Sequence, residues 1–454
     1  MSHPLRRAGV IAALAITASA LATPSSTAAP DPGSPFGPVT ARVAGHTLRG
    51  VPAESAPVAG RAADGGSIVF VKGGNVWLTR PDGSGMRRVT TDGTADSPYE
   101  HPTMSSAGVI AVMKGDEIIR MKQSGAVLNT MTPEDLFVPD YGTITISPVL
   151  DPEISPDGTK IAYSQLRLEH YGGGDYNYNV TESVTAVTDA THFTDPTKVY
   201  LGFQPGWIGN ARFALDRDGD VHLADLGHDA QPWYTSDDIF DTHDPLDPFI
   251  ALNEPEVSPD RQRVLSGIQN TGFAMTTATS DPATGTPGAP TAAPVCYLTS
   301  DDPEVFAADA TFGPDSDSAV FSEGGKLSIV RHLAACNETT TIDVLTTGAT
   351  EPDWSPAPLA AAGPDGQAFT VVHAPAVTGT PKVGTTLKAD RGDWTPTPAT
   401  YVVTWLRNGK AVHTGTTYRL RAADGGQRIQ VKVTARKSGY ESRSATSRAV
   451  KVRR

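Results

Sequence analysis

The stretch DPEISPDGTKIAYS, Asp151 to Ser164, reads as a strand, a tight turn and a second strand. Pro152 stands near a strand start, where a missing N–H matters least. In the turn, Pro156 presets φ and Gly158 tolerates positive φ, and the apolar run KIAYS returns the chain. Five further copies align with it: HPTMSSAGVIAV from His101, QPGWIGNARFAL from Gln204, EPEVSPDRQRVLS from Glu254, DATFGPDSDSAVFS from Asp309 and EPDWSPAP from Glu351. The second positions, Pro102, Pro152, Pro205, Pro255, Ala310 and Pro352, are separated by 50, 53, 50, 55 and 42 residues. Each copy then places one large apolar residue in its first strand: Met104, Ile154, Trp207, Val257, Phe312 or Trp354. A polar turn and a third strand follow in stretches such as KGDEIIRMKQSG, DRDGDVHLADLG and EGGKLSIVRH. This period suits a four-stranded propeller blade.

The sixth copy breaks off after its turn. Its missing partner strands stand at the other end of the chain, in DGGSIVFVKGGNVWLTRPDGSGMRRVTTDG (Asp64–Gly93). Circular closure reconciles the two ends: the last inner strand joins a blade begun by the first strands, six blades result, and no edge is left unpaired.

These residues resemble the TolB-type (WD40-like, PD40) propeller repeats. Their consensus is close to P-x-[FW]-S-P-D-G-x-x-I-A-[FY]-x-S, followed by D-x-D-G-x-x-[IL]-[YF]-[VL]-x-[DN]. Asp151–Ser164 fits the first part and Asp216–Asp225 the second, while Ser105-Ser106-Ala107 and Ile208-Gly209-Asn210 depart from Ser-Pro-Asp. The resemblance covers residues 63–358 and implies a six-bladed propeller that serves as a protein-interaction or ligand-binding platform. It does not name a partner, because one fold hosts many functions. After a linker at 359–372, residues 373–454 resemble the bacterial immunoglobulin-like modules appended to exported actinobacterial proteins. The matching stretches are VTGTPKVGTTLKADRGDWTPTPATYVVTWLRNGKAV and YRLRAADGGQRIQVKVTARKSGYESRSA, with Trp405 at the central core position and Leu420, Asp424, Gly426, Ile429 and Val431 at the corner. The expected fold class is therefore all-β, a six-bladed β-propeller followed by an immunoglobulin-like β-sandwich.

Composition agrees with this class. Among 454 residues there are 44 Gly and 37 Pro, and long apolar helical periods are missing. The formal charge of −13 argues against general nucleic-acid binding, which needs a basic face. Arg6 and Arg7 followed by AGVIAALAITASALA read as a signal peptide over residues 1–28, with an apolar core too short for a comfortable membrane span. Residues 29–62 read as a flexible Pro-, Ala- and Ser-rich leader. The expectation is a secreted, extracellular monomer with no membrane span after signal cleavage. In an exported chain the only two cysteines, Cys296 and Cys336, most simply form one disulfide.

Four stretches are candidate sites, each with a plain structural reading beside it. The residues leading the inner strands, Glu100 with His101, then Asp151, Gln204, Glu254, Asp309 and Glu351, should converge near one channel mouth. There they would hold a cation or the basic terminus of a peptide, or each would cap a local turn. Asp216, Asp218 and Asp220 have the alternate spacing of a calcium loop but lack its Glu at the twelfth position, which is Gly227, and also fit an ordinary turn. Asp241, His243 and Asp244 lie in an acidic loop that suits a divalent metal or plain solvation. The glycine-rich loop with Tyr171, Tyr176 and Tyr178 suits carbohydrate or protein recognition, or is a bland insertion. Calcium is the only cofactor these patterns suggest.

No Gly-x-Ser-x-Gly elbow, Walker loop or HExxH motif occurs. From His373 onward there are 16 Lys and Arg against 4 Asp and Glu, so the last module could adhere to an anionic cell-wall polymer or act as a basic spacer. The reading is a non-enzymatic protein that binds a protein or glycan partner at the cell envelope or outside the cell. Its alternative is an extracellular hydrolase or lyase acting on polysaccharide or peptide at the channel mouth.

Overall fold

The computed structural model describes residues 37–51, 65–137, 144–170, 178–240, 250–269, 271–291, 294–360, 369–395, 397–398, 400–436 and 443–453. The signal peptide expected at residues 1–28 lies outside them. The described residues form two compact units whose main boundary falls between Leu359 and Ala360.

The first unit is a propeller. Its blades open on the inner strands Glu100–Met104 (blade I), Leu150–Ile154 (II), Phe203–Trp207 (III), Leu252–Val257 (IV), Ala307–Phe312 (V) and Ala349–Ser355 (VI). Each inner strand begins an antiparallel sheet, as in blade III, where Phe203–Trp207, Arg212–Arg217, Asp220–Asp225 and Gln231–Tyr234 follow in order. Each inner strand lies against the next, and Ala349–Ser355 lies against Glu100–Met104, so the six close into a ring. The closure is the one the sequence implies: Ala349–Ser355 pairs with Ser67–Lys72, which continues to Asn75–Thr79 and Arg87–Arg88. At that seam a Cβ on Gly66 would stand 2.1 Å from the Ser355 carbonyl oxygen, so only glycine lets the two strands meet.

The predicted large apolar residues, Met104, Ile154, Trp207, Val257, Phe312 and Trp354, are all buried. They enter clusters between blades. Trp207 joins Phe213 and Leu215 of blade III with Ala162 and Tyr200 of blade II, and Trp354 joins Ile68 and Phe70 with Leu327 and Ile329 of blade V. The turn of the opening stretch is held by its own side chains. Ser155 Oγ donates to Asp157 Oδ1 (2.7 Å), the Lys160 N–H donates to Ser155 Oγ (3.0 Å), and Gly158 takes φ +73°.

One expectation is overturned. Within the supposed flexible leader, Val39–Val43 and His46–Arg49 form a hairpin through Ala44 and Gly45, both at positive φ. His46–Arg49 pairs with Cys296–Ser300, the outer strand of blade IV, and makes that sheet six-stranded. The edge of blade IV offers unpaired backbone groups, and Ala41 and Leu48 bury apolar area there. Averaged Pro, Ala and Ser content hides such a short amphipathic pair. His46 Nε2 meets Glu323 Oε2 of blade V at 3.0 Å, with both side chains buried, and Thr47 Oγ1 donates to Asp301 Oδ1 (2.6 Å).

The disulfide Cys296–Cys336 is formed, with its Cα atoms 5.3 Å apart. It joins the outer strand of blade IV to the turn after Lys326–Arg331 of blade V, and so ties neighbouring repeats. Thr40 Oγ1 lies 3.4 Å from Cys336 Sγ, so the hairpin covers the bridge.

In the second unit, Thr386–Asp390 stands between Ala376–Thr378 and Thr417–Arg419 in one sheet. A second sheet runs Lys410–Thr414, Thr400–Arg407, Arg428–Arg436, Arg443–Thr446, with Val450–Lys451 also on Arg428–Arg436. Leu387 and Tyr418 of the first share a core with Val403, Trp405, Ile429, Val431 and Val433 of the second. Asp424 is fully buried and accepts from Tyr418 Oη (2.9 Å) and the Arg421 N–H (2.7 Å). The expected linker is partly ordered: Phe369 is buried in this core and Thr370–His373 pairs with Asp393–Thr395.

Removing residues 1–51 should leave the propeller folded but uncover the bridge. Reduction by dithiothreitol, followed by alkylation and mass measurement, should then be at least about tenfold faster than in the full chain, since exchange depends on access to sulfur.

Candidate functional site

All six inner strands line one cavity of about 480 Å³ on the propeller axis. Its walls carry seven carboxylates, Asp151, Glu153, Glu254, Glu256, Asp309, Glu351 and Asp353, against one imidazole, His101, and one guanidinium, Arg261.

The residues leading the inner strands form the first ring. His101, Asp151, Gln204, Glu254, Asp309 and Glu351 all take positive φ, between 44° and 53°. The register of each inner strand slips at this point, for example between Asn253 and Glu256. A left-handed conformation at a non-glycine residue costs about 1–3 kcal/mol, and a following proline restricts it further. A hand-over of hydrogen bonds between blades offsets that cost. The Glu254 N–H donates to Gln204 Oε1 (3.4 Å) and the Asp309 N–H to Glu254 Oε2 (3.0 Å). The Glu351 N–H donates to Asp309 Oδ2 (3.3 Å) and the His101 N–H to Glu351 Oε2 (2.5 Å). His101 Nδ1 then pairs with Asp151 Oδ1 at 3.2 Å. The structural alternative of local turn capping is thus replaced by capping of the next blade. Glu100 precedes the ring and does not line the cavity; its counterparts are Leu150, Phe203, Asn253, Ala308 and Thr350.

Two residues further along each strand, roughly 6 Å at strand spacing, lies a middle ring that sequence reading did not single out. It comprises Thr103, Glu153, Gly206, Glu256, Thr311 and Asp353. The carboxylates fall on blades II, IV and VI. Phe312 N–H and Thr311 Oγ1 donate to the two oxygens of Glu256 (2.8 and 3.1 Å), and the Met104 N–H donates to Asp353 Oδ2 (2.5 Å). A Cβ on Gly206 would stand 2.3 Å from the Pro255 carbonyl oxygen, so this position carries no side chain. The available signal was the residue between Pro and the large apolar position, acidic in DPEI, EPEV and EPDW. The turns after the inner strands form the rim, with Ser106, Pro156, Gly209, Ser258, Arg261 and Pro356.

Withdrawal from water dominates the protonation of these groups. It lifts Glu254 to about 8, aided by Asp309 and Asp151, and Glu256 to about 8. It lifts Asp353 to about 6 and holds Glu153 well above the usual carboxylate range. Burial would lower the His101 imidazole, but the surrounding carboxylates, Asp151 first, outweigh it and raise the group to about 9. Glu254 and Glu256 therefore retain protons at neutral pH, and low-dielectric walls focus the channel's demand for positive charge on the axis.

The other candidates are not drawn together. Asp216 is buried, accepts the Gly219 N–H (3.0 Å) and is raised to about 7 by burial. Asp218 is exposed in the two-residue turn it shares with Gly219, and Asp220 begins the next strand. Among the described residues, no three carboxylate, imidazole or thiolate groups are placed to hold a metal ion. Asp241, His243, Asp244, Tyr171 and Tyr176 lie outside the described residues; the backbone of Tyr178 begins the strand Tyr178–Asp189 of blade II.

No family model matches this chain, and no curated protein matches it. Among solved structures the chain is similar to a putative TolB from Agrobacterium tumefaciens, at 14% identity and TM-score 0.39, over 65% of this chain and 95% of that one. It is also similar to a protein of unknown function from Bacteroides caccae, at 9% identity and TM-score 0.38, over 64% of this chain and 99% of that one. These likenesses say nothing of function.

The channel carboxylates predict an acid-leaning stability profile. Between the unfolded value of 4.5 and the folded value of about 8, Glu256 binds more protons folded than unfolded, so stability falls as pH rises. His101, raised from 6.5 to about 9, acts with the same sign. The melting temperature should be at least about 3 °C higher at pH 5.5 than at pH 8.5. Glu256→Gln, which holds the neutral shape at every pH, should flatten that slope in a calorimetric pH series.

Proposed function

We propose that this chain is an exported, non-enzymatic binding protein of the TolB-like propeller kind, and that its partner engages the acid-lined channel. The observation that carries the reading is the convergence of all six blades on one cavity lined by seven carboxylates. Strained backbone at a shared position of every blade points the same way, because strain persists where surrounding structure holds it and collects at functional sites. The partner is a protein or glycan at the cell envelope or outside the cell. The second unit is proposed to be an immunoglobulin-like module, and its excess of Lys and Arg supports adhesion to an anionic wall polymer. No observation among the described residues favours the hydrolase or lyase alternative.

The rim allows a direct test. Ser106 is exposed and lines the cavity, and its backbone N–H bonds to the Pro156 carbonyl (2.9 Å), which a side-chain change leaves intact. Ser106→Trp should plug the mouth without changing the melting temperature. Partner capture by the immobilised mature protein from the source organism's envelope and secreted fractions should then fall by at least about tenfold. Capture that survives the plug would place the partner elsewhere and overturn the reading.

A further inference from the structure

We propose that the middle ring, with Glu153, Glu256 and Asp353 on alternate blades and the Thr103 hydroxyl between them, is a receptor for one primary ammonium group carried by a bound polypeptide, a lysine side chain or a free chain terminus. This inference rests on the channel reading above, in its protein branch.

Symmetry supports it first. Blades II, IV and VI alternate around the axis, so their three carboxyl groups surround it in a roughly threefold arrangement. An alkylammonium that enters along the axis has three N–H donors splayed around its own stem. A guanidinium entering end-on spreads its donors in one plane and meets only two of the three blades.

The second observation is an orphan. Thr103 is 3% exposed and lines the channel, and its hydroxyl has no hydrogen-bond partner. It stands close enough to Glu153 and Asp353 to hold both carboxyls down, but completes a hydrogen bond of good geometry with neither. A buried polar atom left unpaired is costly, and the oxygen of this one can accept an N–H from an occupant. In the first ring, four members spend a carboxylate or amide oxygen on backbone N–H groups of the next blade. In the middle ring Glu256 and Asp353 also accept backbone N–H groups, and an axial ligand would use the remaining lone pairs of their oxygens together with Glu153.

Glu256, raised to about 8 by burial, holds its proton at pH 7 and Glu153 is shifted in the same direction, so insertion of an ammonium among these carboxyl groups must expel protons to the buffer. That proton release is a readout a merely structural ring would not give.

The probe is n-butylammonium chloride, titrated calorimetrically into the full mature chain at pH 7 in phosphate and in Tris. One saturable site is expected, with apparent enthalpies that differ between the buffers by the heat of the released protons. Tetramethylammonium, with the same charge and no N–H, and n-propylguanidinium should each bind at least about tenfold more weakly. Glu153→Gln combined with Asp353→Asn should weaken n-butylammonium by at least about tenfold. Thr103→Val should weaken it several-fold without lowering the melting temperature, because the hydroxyl it removes completes no hydrogen bond of good geometry; this variant keeps the test decisive if the double variant folds poorly. The inference is overturned by no binding, by equal binding of tetramethylammonium, by unchanged affinity in the variants, or by saturation with calcium chloride alone. If n-butylammonium fails while capture remains sensitive to Ser106→Trp, only this inference falls. If capture is insensitive as well, the channel reading falls with it.

Discussion

The structure turns on one repeated backbone event: the residue before the second position of every repeat is held in the left-handed region. Five of the six second positions are proline, which restricts its predecessor, and the strand register slips there in every blade. The slip brings four of the six leading side chains onto the next blade's backbone N–H and pairs His101 with Asp151, which secures the ring from inside. Stability and site are therefore linked. The carboxylates that line the channel are the ones that hold the blades together, and their burial makes the channel hungry for positive charge.

Closure works at three radii. Near the axis the hand-over of hydrogen bonds runs from blade to blade. In the middle, Trp207 and Trp354 fill the gaps between blades, and each indole N–H bonds to a carbonyl beyond its own strand, of Glu153 and Gly65 respectively. At the outside, the hairpin of Val39–Val43 and His46–Arg49 covers both the edge of blade IV and the disulfide to blade V. The buried His46–Glu323 pair fastens this hairpin. Burial lowers the imidazole, but the Glu323 carboxylate more than restores it, and the pair suits mildly acidic to neutral surroundings.

Much of this was legible from particular residues. Pro156-Asp157-Gly158 named the turn, the spacing of the prolines named the blade, and the truncated copy at Glu351 named the seam with Asp64–Gly93. The leading acids were legible as a convergent set, but their bonding to the neighbouring blade was not, because it depends on a φ value and a register slip that no residue type announces. Glu153, Glu256 and Asp353 passed unnoticed since a single acid after proline looks like surface decoration until six strands face one axis. Asp216 misled in the opposite direction: its spacing with Asp218 and Asp220 suits a calcium loop, yet it turns inward to cap Gly219 while Asp218 faces solvent.

By itself the sequence determined the local hairpin, the number of blades and the pairing of the two cysteines, because turn chemistry, a period near fifty residues and a count of two leave few alternatives. Tertiary structure decided which side chains share the channel, which hydroxyl is left without a partner, and which carboxylates hold protons. Those properties arise only when residues some fifty positions apart are folded into a ring and water is withdrawn from between them.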